Sequence, residues 1–274
     1  MLKEFSVTNF KNFKTKLTFV LDKPSNYEFS EDVVQNGCVT KGIIYGINGS
    51  GKSNLALAIF DIILQLTDKE KLLGRYDLYK NLYSNKPTVD FEYLFEFNKL
   101  DVLYKYRKTD ATTLSYESLT INGDEVLSYD FNRNEGYTNL EGAESLQLTP
   151  VMKFDQDLYK RLSRVKFVAK NALLANNETN KAFWSFISFV DNMLMFYSLD
   201  NRGYQGSRLG TDSFTQGIIR ENKMKDFESF LRSHNINYDL VAVDVNGVEE
   251  LYCKFPQGTI PFGKVASTGT ISLA

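Results

Sequence analysis

Residues 46–53 read Gly-Ile-Asn-Gly-Ser-Gly-Lys-Ser, and no other stretch constrains the chain's folding as tightly. The pattern G-x-x-x-x-G-K-[ST] needs two glycines, a lysine and a hydroxyl at fixed spacing. Average composition delivers it by chance about once per hundred chains of this length. An apolar run, Gly42-Ile43-Ile44-Tyr45, leads in and reads as a short buried strand; another leads out and reads as a helix through about Leu66. Gly46, Gly49 and Gly51 permit backbone angles and close approaches that a Cβ would block. The resulting nest of N–H groups, at the positive end of a helix, suits phosphate. Lys52 is then expected on the β- and γ-phosphates and the Ser53 hydroxyl on Mg²⁺, with Asn48 and Ser50 supplying backbone amides and Asn54 adjoining the set. The expected cofactors are ATP and Mg²⁺. The competing reading is a glycine-rich strand-to-helix turn with a surface lysine.

Composition narrows the rest. Lys and Arg number 32 against 34 Asp and Glu, so no global charge announces nucleic acid. Two cysteines, Cys38 and Cys253, make neither a disulfide framework nor a metal site, and a single histidine, His234, excludes a His-rich nuclease or zinc centre. The first residues, MLKEFSVTNFKNF, lack the apolar core of a signal peptide, which predicts a cytoplasmic protein. Leu55 to Leu66 is too short for a membrane span. Phe183 to Leu199 carries a polar stripe of Ser185, Ser188, Asp191 and Asn192, so both read as buried or amphipathic helices and no membrane is expected.

Along the chain, Lys3 to Thr8 and Leu17 to Leu21 read as strands around a turn at Asn9 to Phe13, and residues 22–40 read as a loop. Three strands are predicted over Val89–Phe97, Val102–Lys108 and Thr113–Ile121, with weak patterning over 123–150. In the second, Tyr104 and Tyr106 share one face and Lys105 and Arg107 the other, which favours a half-buried strand over a single-strand nucleic-acid surface. Helices fit Asn180 to Leu199 and Arg220 to Ser233. Tyr238 to Asp244 and Glu249 to Phe255 flank Asn246-Gly247, a hairpin signal.

Asn9-Phe10-Lys11-Asn12-Phe13, then a strand, then Asn48-Gly49-Ser50-Gly51-Lys52-Ser53-Asn54, resembles the RecF and SMC-like branch of ABC-type ATPases. The resemblance implies that Lys11 and Asn12 approach the phosphates or ribose. Ala266-Ser267-Thr268-Gly269-Thr270, ahead of the apolar Ile271 to Ala274, is similar to the signature segment of bacterial AAA-type ATPases found in phage-defence operons. It implies that Ser267, Gly269 and Thr270 meet the γ-phosphate held by a second subunit, in a homodimer that sandwiches ATP. Val165–Leu199 looks like the short helical insert of those proteins.

The family continues past such a signature into a Walker B strand, so the chain reads as an N-terminal portion, competent for binding and deficient in hydrolysis. Leu240 to Asp244 has a Walker B-like apolar run, but Asn246-Gly247 turns the chain back, and it is read as a hairpin. Gln147 is available as a Mg²⁺-sensing glutamine, although its surroundings do not identify it. The expected fold is therefore α/β: a P-loop NTPase with an ABC-head-like mixed sheet, an antiparallel β-subdomain and a helical insert. Its predicted parts are an ATP-binding lobe over 1–150, the insert over 151–235, and strands leading into the signature over 236–274. The functions implied are an ATPase sensor of an anti-phage system acting with DNA or with a nuclease or toxin effector, a RecF-like repair ATPase, or a nucleotide-binding scaffold without turnover.

Overall fold

A computed structural model describes all residues except 26–28, 30, 48, 70–72, 150–160, 198–202, 206–213, 257 and 267–274. The chain divides into two compact units, Met1–Tyr197 with Asn201–Arg208, and Ser198–Asp200 with Leu209–Ala274.

The first unit is organised by short turns. Strands β1 (Leu2–Thr8) and β2 (Leu17–Val20) pair around the Asn9–Phe13 turn, as their alternation predicts. Within residues 22–40, read as loop, a small hairpin forms from β3 (Val34–Gln35) and β4 (Cys38–Val39). β5 (Val89–Phe97), β6 (Leu100–Lys108) and β7 (Leu114–Ile121) follow, near the positions their patterning predicts. Two strands fall in the weakly patterned region, β8 (Asp124–Asp130) and β9 (Glu135–Thr138). The turns Asn98-Lys99 and Asn122-Gly123 hold both residues at positive φ, the two-residue geometry that sends a strand straight back beside its predecessor.

The sheet that results has the order β2-β1-β5-β6-β7-β8-β9, with every pairing antiparallel. This corrects the α/β expectation of a mixed sheet built around the glycine-loop strand. Gly42 to Tyr45 is not a strand; Ile43 and Tyr45 are each 91% exposed, and the segment joins no described sheet. Tight turns join β5 to β9 in sequence order, and the longer connection that brings β5 beside β1 also leaves that pair antiparallel.

Cross-strand register separates the faces. One row runs Phe5, Tyr93, Tyr104, Leu119 and Leu127, all fully buried, while the row beside it runs Ser6, Glu92, Lys105, Ser118 and Ser128. Helices α1 (Lys52–Ile59), α2 (Asp61–Leu66), α3 (Arg164–Asn171) and α4 (Glu178–Asp191) contribute buried residues to the same core as the apolar row. The helix predicted from the glycine loop to Leu66 is therefore two helices. The break at Phe60 falls where the Tyr93 hydroxyl donates to the Ala58 carbonyl at 2.9 Å, an acceptor that a continuous helix would offer to the next turn.

Beside the break lies a buried charge. Asp61, with no exposed surface, accepts from Lys108 Nζ, Tyr106 OH and Tyr79 OH, each at 2.8 Å. A second buried carboxylate, Glu117, accepts from Tyr104 OH at 2.6 Å, Ser163 Oγ at 2.5 Å and the Arg164 amide at 2.6 Å, so it caps α3 across the sheet. Burial raises the Glu117 carboxyl above the usual range, against the pull of these donors.

In the second unit the helix read over Arg220 to Ser233 forms as Met224–Ser233, and a separate helix, Phe214–Arg220, precedes it. Asp239–Val245 and Val248–Phe255 form the predicted hairpin at Asn246-Gly247, extended by a third strand, Gly258–Pro261. Leu240 to Asp244 is thus a hairpin arm. Among the described residues no helix is long and apolar enough to cross a membrane.

Two measurements test this packing. Replacing Asp61 with Ala leaves the Lys108 ammonium buried without its counter-charge, and urea unfolding is expected to show a loss of about 3–5 kcal/mol. A loss under about 1 kcal/mol would mean that the pair is not buried as described. Asp68, bridged by Lys166 and Lys170, has its carboxyl lowered to about 2. A depressed carboxylate stabilises above its unfolded pKa and loses that contribution as protons return. The parent should therefore lose more thermal stability than Asp68→Asn between about pH 4 and about pH 2. Parallel curves would remove the bridge from the account.

Candidate phosphate-binding site

The glycine loop closes onto the start of α1. Ser50 N–H donates to the Ile47 carbonyl at 3.3 Å, and Gly51, the residue before the helix, takes φ +99°. Gly49 takes φ +79°. Both values lie in the left-handed region that a side chain disfavours. At Gly46 an added Cβ would lie 3.1 Å from Ser50 Oγ, a tight contact with the end of one side chain. Once the Leu55 amide has taken the Gly51 carbonyl, the amides of Ser53 and Asn54 have no acceptor among the described residues. They are the donors that a helix start leaves free, at its positive end.

Lys52 lies back over this loop, its ammonium donating to the Gly46 carbonyl at 2.7 Å and the Ile47 carbonyl at 2.9 Å. A cation is thus held within the glycine loop by neutral acceptors that a charged oxygen would displace. Ser53 is exposed, and its hydroxyl has no hydrogen-bond partner among the described residues.

The Asn9–Phe13 turn reaches the same place, though not as the resemblance implies. Asn12 Oδ1 accepts from Asn54 Nδ2 at 2.8 Å, and its amide covers Gly51 so closely that a Cβ there would meet Nδ2 at 2.3 Å. Both Asn12 and Asn54 spend side-chain hydrogen-bonding capacity on each other. Lys11 turns away: its ammonium donates to the Asp77 carbonyl at 2.7 Å, and burial lowers its pKa despite the attraction of Asp77. The structure therefore brings Gly46, Gly49, Ser50, Gly51, Lys52, Ser53, Asn54 and Asn12 together and leaves the Lys11 ammonium apart. Asn48, Ser267, Gly269 and Thr270 lie outside the described residues.

Gln147 lines a cavity of about 520 Å³ with Tyr137, Glu144 and Thr149, beside strand β9, a setting that assigns it no ion. Tyr104 and Tyr106 are buried while Arg107 points out, stacked over Tyr116, as the half-buried strand reading predicts. The Asp61 cluster escaped the sequence reading. Its signals were an acid interrupting the apolar run Ala58 to Leu64 and a lysine, Lys108, two residues beyond Tyr106 on the tyrosine face.

No protein-family model matches the sequence, and no curated protein does.

The packing around Gly51 makes a local prediction. Gly51→Ala is expected to destabilise more than Gly49→Ala, because both carry the left-handed penalty of about 1–2 kcal/mol and only Gly51 also has Asn12 against it. Asn12→Ala should restore part of the loss in the Gly51→Ala background. Equal losses at the two glycines, read by urea unfolding, would contradict the contact.

Proposed function

We propose that this chain binds ATP with Mg²⁺ at residues 46–54, and that nucleotide binding is its primary activity. The observation carrying this reading is the Lys52 ammonium lying across a glycine loop whose adjoining helix leaves two amides without an acceptor among the described residues. Lys52 is assigned to the β- and γ-phosphates, the amides of the loop and helix start to the phosphate oxygens, and the Ser53 hydroxyl to Mg²⁺. Asn12 and Asn54 are assigned to holding the loop rather than to touching nucleotide. The reading rests on this local geometry and not on the sheet behind it, since phosphate recognition lives in the loop and the helix start. Downstream of binding, the resemblance to the RecF and SMC-like ATPases supports a nucleotide-dependent association of two copies.

Equilibrium titration with MgATP tests the proposal. Lys52→Ala is expected to weaken binding at least about tenfold while unfolding like the parent. Ser53→Ala should weaken binding in Mg²⁺ and change it little in EDTA. Equal binding by the parent and Lys52→Ala, or none by either, would overturn the assignment.

A further inference from the structure

The segment around Tyr79 touches three parts of the molecule. The Tyr79 hydroxyl donates to Asp61 Oδ2 at 2.8 Å, and its carbonyl accepts the Lys11 amide at 3.0 Å. Two residues on, Asn81 Nδ2 donates to the Lys11 carbonyl at 2.6 Å, and the Asn81 amide donates to the Asn9 carbonyl at 3.1 Å. Tyr76, at the head of the segment, donates to the Leu57 carbonyl at 3.0 Å. The Asn9–Phe13 turn and residues 76–81 are thus tied into one body by four hydrogen bonds between them, counting that from Lys11 Nζ to Asp77.

That body grips α1 from both directions. At the helix start Asn12 meets Asn54 and Gly51; just beyond its end Tyr79 meets Asp61. Between the two grips lies the break at Phe60, beside which the Tyr93 hydroxyl takes the Ala58 carbonyl. An eight-residue helix is about 12 Å long, so pivoting it by about 10° at Phe60 moves its first amides by about 2 Å. That exceeds the whole range of a good hydrogen-bond length, about half an ångström. The bend angle must therefore be held if Ser53 and Asn54 are to meet a phosphate.

We propose that Tyr79 is a positioning residue for the phosphate loop: it ties Asp61 to the Asn9–Phe13 turn and so fixes the direction in which α1 presents its amides. This deepens the nucleotide reading and rests on it for its purpose, but the mechanical tie is a property of the free chain. Burial raises the Tyr79 hydroxyl pKa well above its usual value, so it stays a donor to Asp61 at any physiological pH.

The test compares two single-hydroxyl deletions. Tyr79→Phe and Tyr106→Phe each remove one donor from the same carboxylate, yet only Tyr79 belongs to the segment bonded to the turn. Both should lower the unfolding midpoint similarly. Tyr79→Phe alone should speed native-state hydrogen exchange about tenfold at the Lys11 and Leu55 amides, and weaken MgATP binding by a comparable factor. Asn12→Ala added to Tyr79→Phe should weaken binding no further than the worse single variant, because both act through one turn. Asn81→Ala, which cuts the turn from the segment without touching Asp61, should reproduce the faster exchange and serves if Tyr79→Phe folds poorly. Equal exchange in Tyr79→Phe and Tyr106→Phe, or affinity losses that multiply in the double variant, would overturn the proposal. If the parent binds no ATP, the nucleotide reading falls, and the exchange comparison alone decides whether Tyr79 ties the turn to the helix.

Discussion

A buried carboxylate with nowhere to find water dictates much of this structure. Asp61 has no exposed surface, and neither does its partner Lys108. Two ions removed from water are tolerated only with close pairing and further hydrogen bonds. Tyr79 and Tyr106 supply those bonds, and the rings of both also lie near the lysine ammonium. Satisfying Asp61 seats α2 on β6 opposite Tyr106 and Lys108. It also draws in the 76–81 segment through Tyr79. An apolar core would accept several slightly shifted packings of α2, whereas this acid accepts one.

The glycine loop inherits that constraint. α1 leaves the loop at Lys52 and runs eight residues to end just before the fixed point at Asp61, so the loop's position follows from the core rather than from its own sequence. Tyr93 and Tyr76 add to the hold by taking the Ala58 and Leu57 carbonyls. What the loop itself supplies is conformational permission at Gly49 and Gly51 and a lysine folded over its carbonyls. Rigid support behind flexible glycine is what phosphate recognition asks of a protein: amides must already point inward, because a loop that had to be ordered on binding would lose that much affinity.

Local chemistry was the legible part of the sequence. Period-two alternation and Asn-Gly turns place most strands of the large sheet and the hairpin of the second unit, because both signals act over a few residues. β8 and β9 were not legible: the buried and exposed positions of Asp124–Asp130 do not alternate cleanly, and Gly136 is packed against Ser128 and Tyr129 without a side chain to announce it. The architecture was misjudged for a different reason. Gly42 to Tyr45 has the composition of a buried strand, but strands need partners, and the antiparallel hairpins of β5 to β9 continue without reaching it. In the site, Gly51, Lys52 and Ser53 lie together at the start of α1, with Lys52 turned back over the loop. The Lys11 ammonium lies apart, on the Asp77 carbonyl, and Asp61 went unread because its three partners lie 18 to 47 residues away.

The central claim, that the glycine loop is a nucleotide site held ready by the core behind it, is tested most directly by a crystal structure with Mg²⁺ and a non-hydrolysable ATP analogue. The account predicts that α1 and the Asp61 cluster stay in place while the Lys52 ammonium leaves the Gly46 and Ile47 carbonyls for the β- and γ-phosphates, with Ser53 on the metal. Nucleotide bound elsewhere, with Lys52 still on its own carbonyls, would contradict it.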